Sequence, residues 1–153
     1  MRRSLPFMLA MTLAVGAGAA AAAAQAPAAK AATPAIQYVK VEGADYMFHL
    51  PAVIKPGVTV FNLVNVGRDV HAMTLLAIPA GKTLHQFLDA FNPAGKIPAW
   101  AAQLGESGTV KPGAEAFVTL RLKPGNYVLA CLLPASDGRT HTEVGMVQLL
   151  AVK

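Results

Sequence analysis

Cysteine is almost missing from this 153-residue chain: Cys131 stands alone. No internal disulfide can form, and the thiol is left to be buried and inert, to pair with another molecule, or to act as a ligand. Charge is sparse as well. The 13 Lys and Arg outnumber the 8 Asp and Glu, yet they form no cluster and carry no interleaved aromatics. That pattern argues against nucleic acid as a partner and favours, if anything, acidic proteins. No Ser, His and Asp stand at triad spacing beside a Gly elbow, and there is neither a second cysteine nor a spare histidine pair, so the chain is read as a non-enzyme. No Met-x-x-Met or His-x-His run is present either.

The amino terminus has the make-up of an export signal. Arg2 and Arg3 form a positive start, Leu5 to Val15 an apolar stretch, and Gly16 to Ala26 a run of small residues. This is the pattern of a cleavable secretory signal over residues 1–24, with the cut expected after Ala24. Its most apolar part falls short of the ~20 residues that span a bilayer, so no membrane span is expected after cleavage. Residues 25–35 offer little bulky apolar surface and read as a flexible linker. Residues 36–153 remain, the size of one domain with a single core. Export implies a periplasmic or secreted protein, and loss of Arg2 and Arg3 would lower the formal charge from +5 to +3.

After the linker, short β-prone runs alternate with turn residues at the intervals of an all-β sandwich. Strands are expected over Ile36–Glu42, Tyr46–Leu50, Val58–Asn65 (after the turn Lys55-Pro56-Gly57) and Val70–Ile78. The period then changes. Leu84, Phe87, Leu88 and Phe91 recur at helical spacing and Thr83 is a ready N-cap, which predicts a short helical insertion closed by Asn92-Pro93-Ala94-Gly95, with a second short helix over Ile97–Leu104. Strand character resumes at Ala114–Leu122, turns through Lys123-Pro124-Gly125-Asn126, and continues in Tyr127–Leu133 and Val144–Val152.

Against that background Cys131 ends an apolar strand, His141 follows ten positions on and Met146 five after that. A thiolate, an imidazole and a thioether from one strand end and the loop behind it form a soft-metal donor series. With a second imidazole, for which His71 is the candidate, they suit a trigonal copper site with a weak axial sulfur. Taken singly, each residue has a plainer reading: a packed thiol, a histidine satisfied by backbone, a core methionine. Their joint occurrence favours ligation. Zinc suits the set poorly, since thioether is a weak zinc ligand. His49, alternating with Met47, is a candidate neighbour of the site, and His85 reads as a helix surface residue. Phe48, Met73, Trp100 and Leu132 are candidate apolar surroundings.

The sequence resembles the cupredoxins, the small blue-copper electron-transfer proteins. The matching elements are Lys55-Pro56-Gly57 before a strand, a loop opening onto His71, Lys123-Pro124-Gly125-Asn126-Tyr127 four residues before Cys131, and His141-Thr142-Glu143-Val144-Gly145-Met146. The resemblance implies a Greek-key β-sandwich with copper held at one end by His71, Cys131, His141 and Met146. Two departures stand out. Leu132 to Thr140 separate the thiol from the second histidine, a longer interval than in well-known members and similar to a group of exported cupredoxin-like proteins. Ala72 replaces the Asn often found after the first ligand, which implies one hydrogen bond fewer to the sulfur.

The function expected on this basis is one-electron transfer by a monomeric exported protein with an envelope redox protein as donor or acceptor. A copper carrier that does not cycle its metal, including one built on a patch of Met47, Met73, Met146 and His49, is the alternative. A metal-free interaction module is a further one.

Overall fold

Alternating exposed and buried residues in Gln37–Ala44 and Gly57–Asn65 mark strands with one face in a core, and both lie in one four-stranded sheet of the protein. The computed structural model describes residues 35–91 and 96–153. The expected signal and nearly all of the linker lie outside these residues, as does the Asn92–Gly95 turn.

The strands are β1 (Gln37–Ala44), β2 (Met47–His49), β3 (Val53–Ile54), β4 (Gly57–Asn65), β5 (Thr74–Ile78), β6 (Ala102–Glu106), β7 (Glu115–Leu122), β8 (Gly125–Ala130) and β9 (Val147–Val152); helix α1 spans Leu84–Ala90. One sheet has the order β2-β1-β4-β7, the other β3-β9-β8-β5-β6. β1 runs parallel to β4 and β3 parallel to β9, while the other pairs are antiparallel. The architecture is the all-β sandwich that the pattern predicted and the Greek-key form that the resemblance implied, with one short helix. Among the described residues no helix is long and apolar enough to cross a membrane.

The core between the sheets is built from Val41, Phe61, Leu63, Met73, Leu75, Leu129 and Leu150, all fully buried, and it extends to Cys131 and Met146 at one end. A second cluster lies on the other side of the five-stranded sheet, where Phe87 and Phe91 of the helical excursion cover Leu76, Val128 and Ala130. Thr83 caps α1 as expected: its hydroxyl accepts from the Gln86 amide and the Gln86 side chain accepts from the Thr83 amide, closing a capping box.

Three local expectations are corrected. Ile97–Leu104 forms no helix: Pro98 allows a single turn, closed by Ala101 N–H to Pro98 O at 2.8 Å, and the chain then extends as β6 along the free edge of β5. The regular strand expected from Val70 begins only at Thr74, because His71 pairs with Val110, and Met73 with Ser107, before β5 meets β8. Strand β8 stops at Ala130 and β9 starts at Val147, which leaves Cys131 and Met146 in the connecting loop.

Candidate metal centre

His71, Cys131 and His141 meet at one pole of the sandwich, with Met146 buried in the same core cluster as Cys131. Cys131 directly follows β8, and its backbone is clamped: its N–H donates to Met146 O at 3.0 Å, and its carbonyl accepts from the Thr142 amide at 2.9 Å and the Thr142 hydroxyl at 2.8 Å. His71 is held by paired backbone bonds with Val110, at 3.0 and 2.7 Å. Buried Asn65 shapes the loop before it, with its side-chain amide donating to the Asp69 and Val110 carbonyls, both at 2.8 Å, and its Oδ1 accepting from the Gly67 amide at 2.9 Å.

The long interval from Cys131 to His141 closes by folding on itself. Pro134 bridges Thr140, Ala135 N–H bonds Arg139 O at 2.6 Å, and His141 N–H donates to Leu133 O at 2.8 Å, so the intervening residues form a small two-stranded ribbon that returns to its start. A compact turn follows. The Glu143 and Val144 amides donate to Thr140 O, the Glu143 carboxylate accepts from the Thr140 amide and hydroxyl at 2.7 and 2.9 Å, and Met146 N–H donates to His141 O at 2.7 Å. Gly145, at φ +116°, takes a conformation that L side chains rarely adopt. A loop of this length therefore still delivers its histidine.

The result is a tight donor cluster. His71, Cys131 and His141 offer ligand atoms that all lie within 4.8 Å of one another. The two Nδ1 atoms are 3.2 Å apart, and Cys131 Sγ is 3.3 Å from His141 Nδ1. Two nitrogens at about 2.0 Å from a shared ion and about 100–120° apart would be separated by roughly 3.1–3.5 Å, so the imidazole pair fits a common metal. All three residues are buried, His141 being 1% exposed. Met146 is fully buried in the core cluster that holds Cys131. A Cβ at Gly43 would lie 3.3 Å from Met146 Cε and 3.6 Å from His71 Cδ2, which places the thioether end and the His71 ring around one bare α-carbon.

Neighbouring groups set the electrostatics. The Ala72 amide donates to Cys131 Sγ at 3.4 Å, so the backbone supplies a hydrogen bond at the position where a side-chain donor is lacking. Burial pushes the Cys131 thiol up, and the Ala72 and Leu133 amides oppose this only in part. Burial pulls His141 down, reinforced by nearby His71 and opposed by Asp69, Asp45 and the Pro134 carbonyl. An apolar, water-poor pole of this kind favours uncharged ligands until a cation takes up the thiolate charge.

Asp45, Tyr46 and Asp69 escaped sequence reasoning. His71 Nε2 lies 2.8 Å from Asp45 Oδ1, and the Arg68 and Asp69 amides also donate to that carboxylate, at 2.7 and 3.2 Å. Burial would raise the Asp45 carboxyl, but these bonds hold it below the ordinary carboxylate range. The available signal was slight: two aspartates in turns flanking the approach to a histidine.

Other candidates fall away from the pole. Met47 and His49 project to solvent from edge strand β2 while Met73 and Met146 are fully buried, so no common surface patch joins them. His85 is exposed on α1 and pairs with Asp89 at 3.3 Å. Phe48 and Met73 belong to the same core cluster as Cys131, whereas Trp100 and Leu132 pack against the second cluster, Trp100 edge-on to Phe87 at 6.2 Å.

The chain matches no protein-family model and no curated protein significantly. Among solved structures it is similar to the reduced auracyanin of the photosynthetic bacterium Roseiflexus castenholzii (TM-score 0.54, 16% identity, 76% of this chain and 97% of that one). Auracyanin A, a "blue" copper protein of Chloroflexus aurantiacus, matches with TM-score 0.54 and 17% identity over 78% of this chain and 100% of its own. Reduced rusticyanin matches with TM-score 0.51 and 18% identity over 76% and 80%. At these identities the likeness speaks for architecture, and together with the sheet order and the His-Cys-His pole it shows that this chain has the cupredoxin fold.

Proposed function

We propose that the protein is an exported, monomeric one-electron carrier whose His71, Cys131, His141 and Met146 hold a single copper ion. The observation that carries this reading is the meeting of one nitrogen from each imidazole and the thiol sulfur within 4.8 Å in a buried pole, with the two Nδ1 atoms 3.2 Å apart. Copper bound by such a set, with a distant thioether, supplies a Cu(II)/Cu(I) couple that asks little rearrangement of its ligands. The protein's part is to keep those ligands still. Backbone bonds at both ends of Cys131, the Val110 pairing of His71 and the closed ribbon before His141 fix three donors on the end of a rigid sandwich. Burial excludes water, and the Ala72 amide stabilises negative charge on sulfur.

Enclosure of all four side chains supports a retained ion over one handed on to another protein. The amino-terminal signal supports an envelope or extracellular location, and hence an envelope redox protein as donor or acceptor. The test is copper titration of the purified protein. An intense thiolate-to-Cu(II) charge-transfer band is expected, and Cys131→Ser should abolish it. Uptake of Cu(I) without that band and with slow electron exchange would favour storage or transport, and no uptake at all would refute a copper function.

A further inference from the structure

Asp45 faces the outer nitrogen of His71 at 2.8 Å, and the same carboxylate is anchored by the Arg68 and Asp69 amides. Its side chain is 25% exposed and the His71 ring is fully enclosed, so Asp45 links a buried ring to the surface. An ionised carboxylate has no hydrogen to give, so the bond requires the hydrogen on His71 Nε2. A neutral imidazole carries only one. Nδ1, the nitrogen 3.2 Å from His141 Nδ1, is thereby left with a free lone pair.

An independent feature lies on the other side of the pair. A Cβ at Gly67 would stand 2.7 Å from His71 Nε2, closer than real Cβ contacts, and would also collide with the Asp45 carboxylate. Gly67 lies outside the left-handed region, so no backbone conformation demands glycine there. The space itself is what demands it.

We propose that Asp45 is a positioning residue for the metal pole: its carboxylate holds His71 in the Nε2–H tautomer with Nδ1 turned toward Cys131 and His141, and Gly67 is glycine because that pair fills the volume beside it. The inference rests on reading His71 as a ligand. Carboxylate-backed imidazoles are better donors, and their outer partners typically contribute 10–100-fold to metal affinity. The negative charge of Asp45 also favours the more positive oxidised ion, so it lowers the reduction potential.

The experiment uses three variants of the full chain, Asp45→Ala, Asp45→Asn and Gly67→Ala, each checked for native circular dichroism. Nitrogen-15 shifts of the metal-free protein report the His71 tautomer, and chelator competition reports affinity for Cu(II). Wild type should show the hydrogen on Nε2. Asp45→Ala should lose that preference and bind copper about 10–100-fold more weakly, and Gly67→Ala should act likewise. Asp45→Asn keeps a carbonyl acceptor, so it should keep the tautomer while raising the potential. Should Gly67→Ala fail to fold, the two Asp45 variants decide alone. A wild-type His71 protonated on Nδ1, or an Asp45→Ala protein with tautomer and affinity both unchanged, overturns the proposal. If the wild type takes up no copper but its Nε2–H tautomer disappears in Asp45→Ala, the positioning role stands and the ligand reading falls.

Discussion

Tyr46 lies edge-on across His141, ring centroids 4.7 Å apart, and its hydroxyl donates to Asp69 Oδ2 at 2.5 Å. His141 is nearly inaccessible, and the Tyr46 ring is one of the groups packed against it. That aromatic ring is itself held by a hydrogen bond.

Removing that ring has a measurable consequence. Tyr46→Ala should open His141 to solvent, seen as faster exchange of its ring hydrogen, whereas Tyr46→Phe should keep it covered. If Tyr46→Ala leaves exchange unchanged, another group provides the cover.

The same hydrogen bond pushes the Tyr46 phenol up to about 12, aided by burial and by the charges of Asp69, Asp45 and Asp137. Ultraviolet titration of the metal-free protein should show the Tyr46 phenol ionising late. Asp69→Asn should lower that midpoint, because the first cause of the shift is the Asp69 hydrogen bond.

Stability of the metal-free protein should fall at both ends of the pH scale, for opposite reasons. Burial raises the Cys131 thiol, so above the ordinary thiol value the unfolded chain holds fewer protons than the folded one, and stability declines as pH rises. Burial lowers His141, so its contribution is complete above the ordinary histidine value and is lost as pH falls toward the depressed one. Melting temperature against pH should show both arms. Cys131→Ser should flatten the alkaline arm, and bound copper should suppress both by stabilising the native state.

Gly145→Ala forces an L side chain into φ +116°, which should cost about 1–3 kcal/mol in urea unfolding. Since Met146 follows directly, copper affinity should fall too. Retained stability would mean that the loop relaxes at no cost.

Two acidic residues of the loop should behave differently. Glu143 accepts two hydrogen bonds from Thr140 inside the turn that presents His141, and Glu143→Ala should destabilise by about 1–3 kcal/mol. Asp137 pairs with Arg139 in the exposed tip at 2.6 Å, and Asp137→Ala should leave the unfolding midpoint within experimental scatter. Equal effects would contradict the division of the loop into a supporting turn and a free tip.

Most strands and the capped helix were legible from local order, and the candidate donors from their spacing together with the family resemblance. Alternation along Gln37–Ala44, the Lys123-Pro124-Gly125-Asn126 turn and the His141-to-Met146 spacing are set by neighbours a few positions apart, which is the range over which periodicity and turn chemistry act. Ile97–Leu104 misled because an edge strand leans on its partner β5, and nothing within the segment announces that partner.

The pole itself depends on residues far apart in the chain. His71 meets His141 across 70 positions, the Ala72 amide reaches Cys131 across 59, and Asp45 backs His71 across 26. Such contacts arise only after two sheets have packed and buried the ring nitrogens, when each polar atom withdrawn from water must find a partner in the fold. Candidate donors can therefore be named from the linear order of residues. Distance, tautomer and enclosure belong to the packed sandwich, because burial and long-range pairing exist in no isolated segment.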